Sequence, residues 1–178
     1  MAQFAGYMAA NYLIKKGHRK ISMVADNDVS IDHFRWEGMQ MAMRENGIIE
    51  EESSHLLLNV EENGLTHEFE RLLPVFQEKT ALFFASDYYA LQAVMFLLAK
   101  GFSIPKDISI IGFDDLLYAS LCHPGLTTIH QDLALKARCA VNGILAMIAG
   151  EQVERNVLIP VSLRERESVS EYKGVSRR

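Results

Sequence analysis

Ile108-Ser109-Ile110-Ile111-Gly112-Phe113-Asp114-Asp115 decides how this chain is read, because it is an apolar run of strand length that stops in two acidic residues. A run of that kind suits a strand buried on both faces of a parallel sheet, and the carboxyl ends of such strands are where ligands collect. The pattern recurs on either side. Ala81 to Ala85 is an apolar strand followed by Ser86-Asp87-Tyr88-Tyr89-Ala90, Ile21 to Ala25 runs into Asp26, Leu56 to Leu58 is a short strand, and Leu126-Thr127-Thr128-Ile129 holds another.

Helices are predicted between the strands. Phe4, Tyr7, Met8 and Asn11 to Leu13 recur at helical spacing ahead of Gly17, and Ile31 to Asn46 ends at Gly47, glycine being the residue that most readily takes the left-handed position past a helix. A helix from about Thr66 to Phe76 aligns Phe69, Leu72, Leu73 and Phe76, and Pro74 is expected to bend it or end it early. Another carries Leu91, Val94, Met95 and Leu98 up to Gly101. Asp132 reads as the N-cap of Leu133 to Ala149, where Ala137, Ala140, Val141, Ile144, Leu145 and Ile148 share a face. Val157 to Leu163, broken by Pro160, is a final extended segment. The alternation predicts an α/β fold, a doubly wound parallel sheet with helices on both faces. Such domains usually begin with a strand, and this chain begins with a helix, so either the chain is a fragment or its first helix is expected to pack onto a sheet whose leading part lies elsewhere.

Composition narrows the function. The 178 residues are 49% hydrophobic, enough for one good core. No stretch resembles a membrane span or an export signal, and Cys122 and Cys139 have neither a CxxC partner nor zinc-like His spacing, so a cytoplasmic protein without metal or cofactor is expected. A net charge of −5 and a pI near 5.7 argue against a nucleic-acid surface on this chain. The basic run Lys15-Lys16-Gly17-His18-Arg19-Lys20 is explained by the dipole of the helix it ends. There is no G-x-G-x-x-G, P-loop or G-x-S-x-G elbow, and the chain is not read as an enzyme. One rival reading remains at this stage, in which Asp26, Asp28 and Asp114 form a magnesium cluster of a receiver or phosphotransfer domain.

In order and spacing these blocks, with Gly17-His18-Arg19-Lys20-Ile21 ahead of them, resemble the effector-binding domain of the LacI/GalR family of bacterial transcription regulators, from about Phe4 to Ser168. The resemblance implies a lobe of the class I periplasmic-binding-protein-like type. Residues 1–131 and 151–170 correspond to the C-terminal lobe, 132–150 to a crossover helix belonging to an N-terminal lobe that the chain lacks, and 171–178 to a tail. It implies a small effector such as a sugar or related polar metabolite, a homodimer, DNA binding only through an absent helix-turn-helix, and no membrane. A periplasmic-type sugar-binding lobe shares the fold, but the turn Thr127-Thr128-Ile129-His130-Gln131 is LacI-like.

The resemblance also assigns roles. Asp114 matches a carboxylate that accepts hydrogen bonds from the effector, and Arg35, three residues before Gly38, matches an effector-contacting arginine. Ser86 stands where many relatives have Asn. Tyr88, Tyr89, Leu116, Leu117, Tyr118 and Leu121 belong to the expected two-fold contact. Asp87 and Asp115 are read as helix caps. Several positions depart from the family pattern: Asn59 and Val60 replace an aromatic ring, Val29 and Ile31 a polar pair, and Ala2 a ligand-binding Asp. A pocket unlike the usual monosaccharide site is therefore expected, with Asp26, Asp28, Val60, His33 and Trp36 as candidate lining, Trp36 being equally a core or interface residue. With one lobe missing, effector binding is expected to be weak and DNA binding undetectable, and the apolar stripe of the crossover helix is expected to pack on its own lobe or on a neighbouring chain.

Overall fold

Five short apolar strands make up most of the sheet. In the computed structural model, which describes residues 1–26, 30–154 and 156–174, these are β1 (Ile21–Asp26), β2 (His55–Leu58), β3 (Ala81–Phe84), β4 (Ser109–Asp114) and β5 (Thr127–Gln131), with β6 (Val161–Arg164) at one edge. The order is β2-β1-β3-β4-β5-β6. The first five are mutually parallel. Strand order reverses between β1 and β3, and in a doubly wound sheet the crevice outside the carboxyl ends opens there.

Because side chains alternate across a strand, each central strand feeds two cores. Met23, Ala25, Phe83, Ile111 and Phe113 face α1 (Ala2–Lys15) and α2 (Ser30–Glu45). On the other side Val24, Leu82, Phe84 and Ile110 meet α4 (Leu65–Glu78) and α5 (Asp87–Ala99), reached through the single turn α3 (Val60–Asn63). Both faces are covered, which is why β1, β3 and β4 carry no polar alternation.

Three local expectations are corrected. The helix of Pro74 is neither ended nor shortened there but runs to Glu78. An interior proline costs about 3 kcal/mol, and burial of Phe69, Leu72 and Phe76 on one stripe outweighs it. Second, β6 is antiparallel to β5. The helix between them, α7 (Leu133–Ile148), has no buried residue and does not return the chain to the amino ends of the strands, so β6 re-enters from the end that β5 left. Third, of the two places expected for the stripe on α7, its own lobe is excluded and a neighbouring chain is left: Val141, Ile144, Leu145 and Ile148 are all more than half exposed. Asp132 does cap this helix, its side chain accepting from the Leu135 amide at 2.8 Å.

Asp87 is not the N-cap of α5. Ser86 is, with an extended backbone and its Oγ accepting from the Tyr88 amide. The Asp87 carboxylate instead turns across the sheet and is fully buried. It accepts the Thr128 hydroxyl at 2.6 Å and the Leu116 amide at 2.8 Å. A Cβ on Gly112 would meet Asp87 Oδ1 at 2.2 Å, so the glycine makes room for the carboxylate.

Burial pushes the Asp87 carboxyl up from 3.8 to about 6, against the pull of its two donors. The folded chain then keeps this proton over a range in which the unfolded chain has released it, so Asp87 lowers stability as pH rises from about 4 to 6, by roughly 3 kcal/mol in all. We expect the difference in urea midpoint between pH 4 and pH 7 attributable to this residue to vanish in Asp87→Asn. An identical pH profile in the variant contradicts the assignment.

Candidate functional site

At the strand-order reversal, one guanidinium gathers the surrounding groups. Arg35, in the second turn of α2, is paired through Nη1 with the carboxylate of Asp32, one helical turn earlier, and Nη1 also donates to the Ala85 carbonyl at 3.3 Å. Its guanidinium lies 3.8 Å from the centroid of the Phe113 ring, a cation–π contact. Both ionic side chains are nearly buried, at 11% and 12% exposure. Burial pushes the Asp32 carboxyl up, with Arg35 opposing.

Asp26 and Asp114 complete the cluster from the ends of β1 and β4. The Tyr89 hydroxyl, from α5, donates to Asp26 Oδ2 at 2.5 Å. Burial, and then this acceptor, push the phenol up. Asp114 accepts the Gln131 side-chain amide at 2.7 Å. Its carboxyl is raised by burial, while Gln131 and the charge of Arg35 pull the other way. Among the described residues, Asp114 and Asp115 are the non-glycine residues with positive φ, at 113° and 57°, a conformation that costs free energy and tends to occur at ligand sites. Among the described residues, Arg35 Nε and Asp26 Oδ1 are buried without a hydrogen-bond partner.

Asp115 is not a helix cap. Leu116 occupies the cap position of the short α6 (Leu117–Leu121), without a side-chain bond. Asp115 instead binds Arg166 at 2.6 Å and His130 at 2.9 Å, with Arg164 at 3.7 Å. Burial works against its ionisation, but Arg166 and His130 hold the carboxyl below its ordinary range.

The remaining candidates are spread more widely. Ser86 borders the crevice but spends its hydroxyl on the α5 cap. Val60 is half-buried and packs on the second core. Trp36 is core, stacked on His55 at 4.6 Å. His33 is exposed beside Glu37 at 3.6 Å. Asp28 and Val29 lie outside the described residues. Tyr88, Leu117, Tyr118 and Leu121 are more than half exposed on α5 and α6, whereas Leu116 is half-buried and Tyr89 turns to Asp26. Among the described residues no group of three or more His, Cys, Asp or Glu is placed to hold a metal ion. Asp32 and Gln131 were not among the sequence candidates. The three-residue spacing of Asp32 to Arg35 was the available signal for one, and adjacency of β4 and β5 had to be known for the other.

A family model for the periplasmic binding protein-like domain matches residues 10–169. The chain belongs to that family. Within it this periplasmic binding protein-like domain groups with LacI-type regulators. It is 36% identical over 155 residues to the HTH-type transcriptional repressor PurR of Haemophilus influenzae strain PittEE, covering 80% of this chain and 43% of that protein. With the HTH-type transcriptional repressor CytR of Escherichia coli K12 it shares 32% identity over 150 residues, 84% of this chain and 44% of the relative. The domain thus spans less than half the length of these relatives. A LacI family transcriptional regulator from Enterococcus faecium, solved with bound ribose, matches at a TM-score of 0.85 and 27% identity, over 97% of this chain and 64% of that one. A CelR-cellobiose complex matches at 0.84 and 27%, over 94% and 52%. Among the described residues no helix is long and apolar enough to cross a membrane.

Arg35 is positioned by backbone contact between α1 and α2. A Cβ on Gly6 would fall 1.8 Å from the Arg35 carbonyl oxygen, and a Cβ on Gly38 would fall 1.8 Å from that of Gln3. The atoms in the way are backbone, so neither position accepts a side chain without separating the helices. Gly38→Ala is therefore expected to destabilise the domain by about 2 kcal/mol or more, with Trp36, the single tryptophan, reporting the shift of α2 in its emission. An unchanged urea midpoint and spectrum would mean that the two helices are not in backbone contact.

Proposed function

We propose that this domain is the effector-sensing and dimerising part of a LacI-type transcriptional regulator, and that it takes a small polar metabolite of sugar or polyol type at the carboxyl ends of β1, β3 and β4. The observation that carries this reading is the convergence of Arg35 and Asp114 on the strand-order reversal, with Arg35 Nε and Asp26 Oδ1 unfilled beside them. A hydroxyl can donate to a carboxylate and accept from a guanidinium. The ribose and cellobiose complexes of similar regulators support the ligand class. Asp114 and Arg35 are the proposed contacts, with Asp26 beside them and Ser86 at the rim.

In this reading residues 1–131 and 151–170 form the C-terminal lobe, 132–150 reach toward an N-terminal lobe, and 171–178 are a tail. The exposed stripe of α7 suits a helix whose partner surface is on that lobe. The relatives are named as HTH-type repressors, and DNA recognition is assigned to such a reader rather than to this acidic domain, which acts in the cytoplasm as a binding module and not as an enzyme. Tyr88, Leu117, Tyr118 and Leu121 present adjoining apolar surface, the basis for a homodimer with an isologous contact there that also includes Leu116 and Tyr89.

Two experiments test this. In a thermal-shift screen of sugars and polyols at millimolar concentration, a hit present at ten times its Kd adds about 1.4 kcal/mol, a rise of a few degrees, and Asp114→Ala should abolish it. Equal shifts in both proteins would remove Asp114 from the site. In sedimentation velocity at high micromolar concentration the wild type should run as a dimer and Leu117→Asp as a monomer, whereas a wild-type monomer unaffected by the substitution defeats the interface.

A further inference from the structure

We propose that Asn63 is a self-modification site: its side chain cyclises onto the amide nitrogen of Gly64 and ends as aspartate or isoaspartate, and the new carboxylate unlocks the corner between β2 and α4. The proposal stands independently of the effector reading.

The sequence holds three Asn-Gly pairs, at 46–47, 63–64 and 142–143. Such a pair favours the reaction because glycine puts no side chain beside the nitrogen that must attack. The Gly64 nitrogen loses its proton and bonds to Asn63 Cγ, the Cγ–N bond of the side chain breaks, and ammonia leaves. Water then opens the cyclic imide at either carbonyl, giving aspartate or a backbone routed through the side chain. Nothing is oxidised or reduced, and water is the co-reactant.

The attacking amide must first leave its hydrogen bond, so the rate follows the free energy of local opening. Opening separates the pairs. Asn46 sits in a stitched turn at the end of α2, where Gly47 donates to the Arg44 carbonyl at 3.2 Å and Ile48 to that of Met43 at 2.9 Å. The Asn46 side chain donates to the Ala42 carbonyl at 2.8 Å, and Arg19 holds the Asn46 carbonyl at 3.2 Å. Ala42 and Met43 are anchored in the first core. Gly143 lies inside the 16-residue ladder of α7. Asn63, in contrast, is exposed and ends the single turn α3, in which no residue is buried. The Gly64 amide donates to the Val60 carbonyl at 2.9 Å, and an isolated turn of helix is marginal on its own. The turn into α4 also needs glycine at 64, where φ is 74°.

The product disturbs a buried group. Asn63 Nδ2 donates to Glu68 Oε1 at 2.8 Å. Glu68 is fully buried on α4, and its Oε2 accepts the Asn59 amide at 3.1 Å and Arg71 at 2.6 and 3.2 Å. Arg71 first, then the Asn59 and Asn63 amides, hold its carboxyl down at about 2 against the effect of burial, so it is ionised wherever the reaction runs. Conversion of Asn63 replaces a donor by a second anion at hydrogen-bond distance. The corner then opens and frees the Asn59 amide. Leu58, just before it, is paired in the sheet with Asp26, so the loosened corner borders the crevice.

Wild type is held at mildly alkaline pH in heavy-oxygen water and sampled by peptide mapping, with enzymatic methylation marking isoaspartate. Asn63 should take up heavy oxygen at least about tenfold faster than Asn46. In the converted fraction the Asn59 amide should lose its protection from hydrogen exchange. Asn63→Asp should reproduce that loss with a lower urea midpoint. Its deficit should shrink as pH falls, because the protonated carboxyl donates to Glu68 as the amide did. Asn63→Gln, which keeps the amide but closes a ring far less readily, should hold its midpoint through the same incubation. Conversion of Asn46 or Asn142 while Asn63 stays an amide overturns the proposal, and so does a converted fraction with the Asn59 amide still protected. If Asn63→Asp does not fold, the aged wild type supplies both readouts.

Discussion

One buried carboxylate ties together the strand ends on which everything else is built. Asp87 leaves the first turn of α5 beyond β3, lies over Gly112 in β4, receives the Thr128 hydroxyl from β5, and satisfies the Leu116 amide where the chain turns out of β4. A charge in that position is expensive, as the rise of its titration point records. In return three adjacent strand ends are held in register by a single rigid group. Asp114, Asp115, His130 and Gln131 all project from those ends, so the geometry of the site is set by a residue that does not line it.

The sequence was most informative where the determining forces are local. Strands β1, β3 and β4 are buried on both faces and read as unbroken apolar runs, and the ends of α1, α2 and α5 are marked by Gly17, Gly47 and Gly101 with positive φ. Asp114 was noticed as an acid at a strand end, and Arg35 only through the family resemblance, three residues before Gly38. What could not be read is tertiary in origin. Cap chemistry favours both Ser86 and Asp87, and only the neighbouring Leu116 amide and Thr128 hydroxyl decide between them. Asp115 looked like a cap because the cations that claim it lie 15 to 51 residues away. Tyr89, 63 residues from Asp26, could be paired with it only once the strand order was known. Pro74 misled because a local penalty was weighed without the burial of the stripe around it.

The crevice also shows how a scaffold contact and a buried charge share one element. Gly6 and Gly38 let α1 and α2 touch along their backbones, and that contact sets how closely Arg35 approaches Ala85 and Phe113. A guanidinium left alone at 11% exposure would be unstable there; Asp32 neutralises it within the same helix, so the pair moves as a unit if α2 moves. Stability and the placement of this charge therefore cannot be varied independently at these positions.

Asp115 joins the two chain segments that run to and from α7. It holds His130 on the outgoing strand and Arg166, with Arg164 nearby, on the returning one. Mechanically this is a pivot with a long arm. The 16 residues of α7 extend about 24 Å from their cap, so a tilt of about 10° at the pivot sweeps the far end through about 4 Å. A displacement of an ångström or less beside Asp114, one residue from that pivot, is thereby magnified to the size of a side chain at the exposed tip of the helix.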